Sequence, residues 1–318
     1  MKCAPSTPAS AICMTMDNAS SPNRDTPDTT NKIIGLILGD VQNPYFAEII
    51  YRLQNLLFQR NYMLMQFSSS YIEEKELQFI EFCEHAHFAG LILLSALDSN
   101  TLRERIKALP FPVVLLNRFI SNLNCSTVVQ DNFQCGYLAA NHLLGLGHPR
   151  IAFIAGPKNS TSSMKRLEGF RQALTNCFLP VEEEEIYYGN LTLEDGLRIG
   201  EEYVKERKRH PKAVIIGNDM MSIGFMDACH RAGVQIPKDL SIVSFDDIRL
   251  SSLSCIDLTT IQQPVPDMCE ATVEAIFRAL EMPDARAVRI ILSPKLVVRS
   301  TTDYYCPDND KSFFGLSK

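Results

Sequence analysis

The sequence predicts an α/β fold of two similar doubly wound parallel-sheet lobes, and three observations predict it. Short continuous apolar runs alternate with longer segments whose apolar residues recur at helical spacing, the pattern of βαβ units around a parallel sheet. The alternation runs once to about residue 116 and restarts near Asp131, which makes two units of similar size. A chain of 318 residues with 46% hydrophobic content can bury a large core and divide it between two lobes.

Residues 32–50, KIIGLILGDVQNPYFAEII, set the pattern. Ile33, Ile34, Leu36, Ile37 and Leu38 form the continuous apolar run of a strand covered on both faces. Asn43 can cap the next helix through its side-chain oxygen, and Pro44 fits the first helical position, where no backbone donor is needed. Tyr45 and Phe46 then stand near the carboxyl end of a parallel strand, where open α/β sheets bind ligands. Residues 47–60 have helical spacing, 62–67 read as a strand, 73–85 as a helix, 90–94 (GLILL) as a strand, 100–109 as a helix and 113–116 as a strand. The pattern restarts with a helix over 131–146, with Gly145 and Gly147 at its stop. Strands at 150–155, 186–188, 212–216 and 240–245 then alternate with helices at 164–177, 193–208 and 218–232. Residues 259–263 lead to Pro264, a helix over 267–280 and two β segments, 288–292 and 295–298. No short-period repeat is present.

Composition excludes several classes. The net charge of -6 is dispersed, with no basic run or stripe for nucleic acid. Ten cysteines are scattered without a CxxC pair, which reads as free thiols of a reducing compartment. Residues 1–31 are rich in Ser, Thr, Pro and Asn, and their 11–14 apolar patch is too short for a secretory core, so a disordered leader is expected. No segment approaches the roughly 20 apolar residues of a membrane span. A cytoplasmic protein with a frayed tail at 305–318 follows. Enzyme chemistry finds no support. Cys83, His85 and His87 share one predicted helix, and Cys83 and His87 one face of it, but a metal site needs more ligands. Asp246 and Asp247 diverge on an extended chain, and there is no nucleophile–base spacing, phosphate loop or dinucleotide fingerprint. No metal, cofactor or catalytic residue is assigned.

Seven phrases in order carry a resemblance: IIGLILGDVQNPYFAEII, FAGLILL, PVVLLNR, VVQDNFQCGYLAANHLLGLGHPRIAFIAGP, RLEGFRQAL, IIGNDMMSIGFMDACHRAGVQIPKDLSIVSFDD and LTTIQQP. Together they resemble the effector-binding core of LacI/GalR-family transcriptional regulators, whose fold is that of the type I periplasmic sugar-binding proteins. The resemblance implies two lobes joined by three crossovers around a ligand cleft, with lobe closure or rotation as the switching motion. It places the first lobe at 32–146 plus 264–292 and the second at 147–263 plus 293–304.

The resemblance also carries over residue by residue. Tyr45 and Phe46 match the family's aromatic pair, whose faces suit a sugar ring or a planar base; packing in the core is the bland alternative. Asp131 matches an acid near the cleft, and is equally a helix N-cap. Arg166 matches the arginine that reaches the ligand with a planar five-donor fork, where a plain surface charge is the alternative. Ser160 and Ser162 are contact candidates in the loop after Gly156-Pro157. Asn218, Asp246 and Gln263 match ligand-contacting positions, and Arg118 faces the cleft mouth unless it forms an interlobe salt bridge. Leu191 stands where the family often carries a stacking aromatic, and the chain has no Trp, so this position of the second lobe offers no ring for stacking.

The resemblance implies a homodimer, with contacts near Glu48, Leu53 and Leu57 and around Leu253 and Cys255. It also implies a helix-turn-helix head, for which residues 1–31 show no matching turn; Asp25, Pro27 and Asp28 stand where a hinge helix would enter a groove. The expected function is therefore the sensor core of a regulator or repressor, responding to a sugar or nucleoside-like effector. DNA would be contacted only through a restored head or a partner. The alternative is a stand-alone small-molecule binding protein of the periplasmic type.

Overall fold

Each apolar run becomes a strand in one of two six-stranded sheets. The structure, a computed structural model, describes residues 31–94, 98–120, 122–206 and 209–307. The expected leader at 1–30 and the tail beyond 307 lie outside the described residues.

The first lobe contains β1 (Asn31–Leu38), α1 (Pro44–Phe58), β2 (Met63–Ser68), α2 (Glu73–His85), β3 (Phe88–Leu93), α3 (Asn100–Lys107), β4 (Val113–Leu116) and β5 (Ser126–Gln130). The second contains α4 (Asn132–Gly145), β6 (Ala152–Ala155), α5 (Thr161–Asn176), β7 (Ile186–Tyr188), α6 (Leu193–Lys205), β8 (Ala213–Ile216), α7 (Asp219–Arg231), β9 (Ser241–Asp246) and β10 (Thr260–Gln262). The chain then returns to the first lobe with α8 (Val265–Glu281) and β11 (Arg289–Leu292), and to the second with β12 (Lys295–Val297). The sheet orders are β11-β5-β4-β3-β1-β2 and β12-β10-β9-β8-β6-β7. All pairings are parallel except β10 with β12.

Helices cover both faces of each sheet, which is why the strands carry unbroken apolar runs instead of alternation. In the first lobe, α1 and α8 pack on one face through Ile49, Leu53, Leu57, Met268 and Ile276, while α2 and α3 cover the other through Ile80, Leu102 and Ile106. In the second lobe, α4 and α5 cover one face through Ala139, Leu143, Phe170 and Leu174. On its other face α6 and α7 pack through Ile199, Tyr203, Met221 and Phe225. The capping prediction holds: Asn43 Oδ1 accepts the Tyr45 backbone N–H at 3.0 Å, and Pro44 opens α1. Past α4 the chain turns at Gly147, whose φ of 85° favours glycine.

Several expected boundaries are corrected. The chain leaves the first lobe after Gln130, not after residue 146, because the apolar face of α4 packs beneath Ile215, Val243, Phe245 and Ile261 of the second sheet. Strand β5 was not distinguished in the sequence, since its STVVQ has only two apolar residues. The first strand begins at Asn31, which donates its backbone N–H to the His87 carbonyl, so 31 does not belong to a leader. Tyr305, assigned to the frayed tail, donates its N–H to the Leu146 carbonyl at 2.9 Å and packs on His148. α2 ends at His85, and His87 follows with φ of 54°, so Cys83 and His87 do not share a helix face.

Helices α4 and α5 approach backbone to backbone. A Cβ on Gly136 would overlap the Arg166 carbonyl, and one on Gly169 would overlap the Phe133 carbonyl. The obstacle in each case is main chain, which cannot rotate away. Gly136→Ala is therefore expected to destabilise the protein by about 1–3 kcal/mol, as overpacking in a dense interior does. Urea denaturation compared with the exposed Gly145→Ala, beside which nothing lies within 4 Å, measures it.

Candidate functional site

Parallel strands bring the loops at their carboxyl ends to one edge of each sheet, and the two edges face each other across a cleft. The cleft holds a cavity of about 480 Å³. Every wall segment follows a strand: Gly39 and Asp40 after β1, Tyr71 after β2, Asn117 to Phe119 after β4, Ser160 to Ser163 after β6, Leu191 after β7, Asn218 after β8, Asp246 at the end of β9 and Gln263 after β10.

A chain of hydrogen bonds crosses the cleft floor. Tyr45 Oη donates to Gln263 Oε1 at 2.8 Å, and Gln263 Nε2 donates to Asp246 Oδ1 at 2.6 Å. Asn117 Nδ2 donates to Tyr45 Oη at 3.0 Å and lies 3.3 Å from Gln263 Oε1. Burial, with the charge on Asp246, raises the Tyr45 phenol well above its usual value, which keeps it a donor. Phe46 meets Tyr45 edge to face at 5.2 Å and shares the wall.

Arg166 is held from four sides. Its Nε donates to Asn132 Oδ1 at 3.0 Å and its Nη1 to the Gly217 carbonyl at 2.8 Å. The guanidinium carbon lies 4.6 Å from the Phe245 ring centroid, and Nη2 is 3.8 Å from Asp246 Oδ1. Burial pushes the Asp246 carboxyl up to about 7, against the opposing pull of Arg166 and with a further rise from Asp219. The backbone at Asp246 and Asp247 has φ of 112° and 58°, in a region non-glycine residues rarely occupy. Asp247 turns away, taking Gln262 Nε2 at 2.7 Å and Arg299 Nη2 at 2.6 Å. Asp219, fully buried, ties the following loop by accepting from Ile248 N, Ser251 Oγ and Thr260 Oγ1.

The remaining sequence candidates divide by what their polar atoms do. Asn218 lines the cavity, but its amide is committed to capping α7 through Met221 N at 2.9 Å and to the Leu191 carbonyl at 2.9 Å. Ser160 caps α5 and receives Arg118 Nη1 at 3.3 Å; Ser162 donates to the Asn117 carbonyl at 3.3 Å across the lobes. Of the two readings of Asp131 the helix cap is the one formed: its carboxylate caps α4 through Gln134 N at 2.9 Å, and it lines a cavity of about 250 Å³ that adjoins the main one and shares Asn117 to Phe119, Thr161 and Ser162 with it. Arg118 forms no interlobe salt bridge among the described residues.

Sequence reasoning missed Tyr71, Asn117 and Phe119, all in the cavity wall. Tyr71 lies over Gly39, where any Cβ would overlap its ring, and it follows Ser70 in left-handed backbone, with φ of 54° and 59°. Nothing in SSSY signals that turn. The expected dimer contacts are also corrected. Leu53 and Leu57 are fully buried in the first core, because the Ile49-Leu53-Leu57 face of α1 turns to the sheet. The outward face of α1 carries Tyr51 and Phe58, 68% and 69% exposed, beside Met63 and Met65 on the edge strand β2. Leu253 and Cys255 are exposed.

Residues 140–302 match the family model of the periplasmic binding protein-like domain. The chain is 30% identical to the HTH-type transcriptional regulator DegA of Bacillus subtilis (strain 168) over 291 residues, 89% of this chain and 86% of that one. It is 28% identical to the ribose operon repressor of Escherichia coli (strain K12), over 84% of this chain and 81% of the repressor. Among solved structures it is similar to a transcriptional regulator LacI from Bacillus cereus subsp. cytotoxis NVH 391-98, with a TM-score of 0.80, 26% identity, and coverage of 87% of this chain and 100% of that one.

The raised proton affinity of Asp246 has a definite sign in stability. The folded state holds this proton to about pH 7, whereas an unfolded aspartate releases it near 3.8. The contribution is complete below the lower value and is lost as pH rises through about 7. Without ligand, Asp246→Asn is expected to lose less thermal midpoint than the parent between pH 5 and pH 8, in melts followed by circular dichroism.

Proposed function

We propose that this chain, which belongs to the LacI/GalR family of transcriptional regulators and carries its periplasmic-binding-protein-like domain, senses a small polar effector in the interlobe cleft. The observation that carries the reading is how the cavity wall divides. The four aromatic rings, Tyr45, Phe46, Tyr71 and Phe119, come from the first lobe, which also supplies Asp40, Asn117 and Arg118; Ser160 to Ser163, Arg166, Asn190, Asn218 and Asp246 come from the second. A ligand with one apolar face and a hydroxylated edge, such as a sugar or nucleoside, matches both walls only when the lobes are together. The cavity size accords with such a ligand, and a relative is named for the ribose operon.

Effector binding is then a bias on lobe arrangement. Contacts from both walls favour the closed state by the difference in affinity between the two arrangements, and no more. The three crossovers at 131, 263–264 and 293–294 are the segments about which the lobes rotate. The output is control of transcription, with DNA reached through a head preceding β1 or through a partner. The role is binding without turnover. Among the described residues no helix is long and apolar enough to cross a membrane.

The chain acts as a homodimer through the outward face of α1 and edge strand β2, together with the surface around Leu253 and Cys255. The exposed Tyr51, Phe58, Met63 and Leu253 supply apolar area there.

A thermal-shift screen of sugars, nucleosides and purines identifies the effector. In calorimetry, Arg166→Ala and Asp246→Ala are each expected to weaken it by about 1.5–3 kcal/mol, the range for hydrogen bonds to charged groups. Unchanged affinity in folded variants refutes the site. Phe58→Glu is expected to convert the dimer to monomer in light scattering after size exclusion, with effector binding retained.

A further inference from the structure

Two guanidiniums, Arg118 and Arg166, face the cavity, and they are treated differently by the protein around them. Arg166 has Asp246 opposite it and two further acceptors. Arg118 has one hydrogen bond, from Nη1 to Ser160 Oγ, at a long 3.3 Å. Its Nε is enclosed with no acceptor, and no carboxylate lies within ion-pair distance of it among the described residues. The carboxylates that do sit near the cleft are engaged elsewhere. Asp246 accepts from Gln263, Asp40 accepts the Gln42 N–H, Asp98 pairs with Arg103, Asp131, which lines the adjoining cavity together with Arg118, caps α4 through Gln134 N, and Glu76, fully buried, accepts from Ser69 outside the cavity wall. Burial and Arg166 both act against the Arg118 charge, while the phenols of Tyr71 and Tyr45 and the buried Glu76 favour it.

What faces Arg118 from the other lobe adds to the same sign. Ser160 caps α5, a helix of 16 residues whose first turn runs through Thr161, Ser162 and Ser163 along the cavity wall. The first backbone N–H groups of a helix have no intrahelical acceptor and carry partial positive charge. A half-buried arginine and a helix N-terminus meet there, with the Ser160 hydroxyl between them and no carboxylate within ion-pair distance of Arg118 among the described residues. Both can direct hydrogen bonds at a compact group of oxygens.

We infer that the effector carries an anionic group, a phosphate or a carboxylate, held between Arg118 of the first lobe and the first turn of α5 in the second. This rests on the cleft being the effector site. The anion is gripped from both lobes at once, so its binding energy is available only on closure. Neutral sugars, which fill the aromatic and Asp246 parts of the cavity but leave Arg118 uncompensated, are then poor effectors.

Calorimetry of the full chain with matched probes tests this: D-ribose against D-ribose 5-phosphate, D-glucose against D-glucose 6-phosphate, and D-glucose against D-gluconate. An anionic member is expected to bind at least about 10-fold tighter than its neutral partner, with affinity falling at higher salt. Arg118→Gln is expected to remove that advantage, and Arg118→Lys to restore part of it, with thermal melts confirming that both fold. The phosphate and carboxylate arms separate the two sources of the anion. Preference for neutral members, anionic binding that survives Arg118→Gln, or no binding by any anionic member overturns the inference. Neutral binding lost in Asp246→Ala but unaffected by Arg118→Gln overturns it while leaving the cleft as the effector site. Binding indifferent to both substitutions overturns the site as well.

Discussion

The second lobe is built around one buried charge. Arg166 is only 6% exposed, and a guanidinium removed from water is tolerable only where its donors find acceptors. The requirement reaches into four elements. Asn132 must begin α4, the Gly217 carbonyl must follow β8, the Phe245 ring must lie beneath the guanidinium, and Asp246 must turn in at the end of β9. The left-handed backbone at Asp246 and Asp247 is consistent with that last demand, since it sends two adjacent carboxylates to different partners. Close contact of α4 and α5 through Gly136 and Gly169 brings Arg166 within reach of Asn132.

Asp246 is also where the second lobe meets the first. Gln263, on the middle crossover, receives Tyr45 and donates to Asp246, so a first-lobe ring and a second-lobe carboxylate share one polar chain. A buried chain of this kind is stable while every member is satisfied and costly when one is withdrawn. Lobe movement that carried Tyr45 away from Gln263 would leave buried polar atoms exposed to that cost, which favours two discrete arrangements over a continuum.

The strand-helix alternation and the turn at residues 39–46 were legible because they rest on local chemistry. A continuous apolar run, an Asn cap and a following Pro behave alike wherever they occur, and Asn43 and Pro44 form the predicted helix start. Ordered phrases likewise pointed to the cleft residues Arg166, Asp246 and Gln263, which the fold brings into one cavity. Asp131 was ambiguous for a local reason too: the same carboxylate can cap a helix or meet a ligand, and only the direction of α4 resolves it. Leu53 and Leu57 show the converse. Their spacing identifies an apolar helix face but not what covers it, and here the sheet does.

The sequence by itself determined the fold class, the family, and the strand ends at which a ligand can bind, since each follows from short-range pattern and residue type. Only the tertiary structure decided which polar groups are fully committed to protein partners and which are not. Asn218 is committed as a cap, Asp247 is held by Arg299, and Arg118 reaches the cleft with its charge uncompensated. Those assignments depend on distances between residues far apart in the chain. Tyr71 reaches the cavity wall through a turn that no residue type in SSSY specifies.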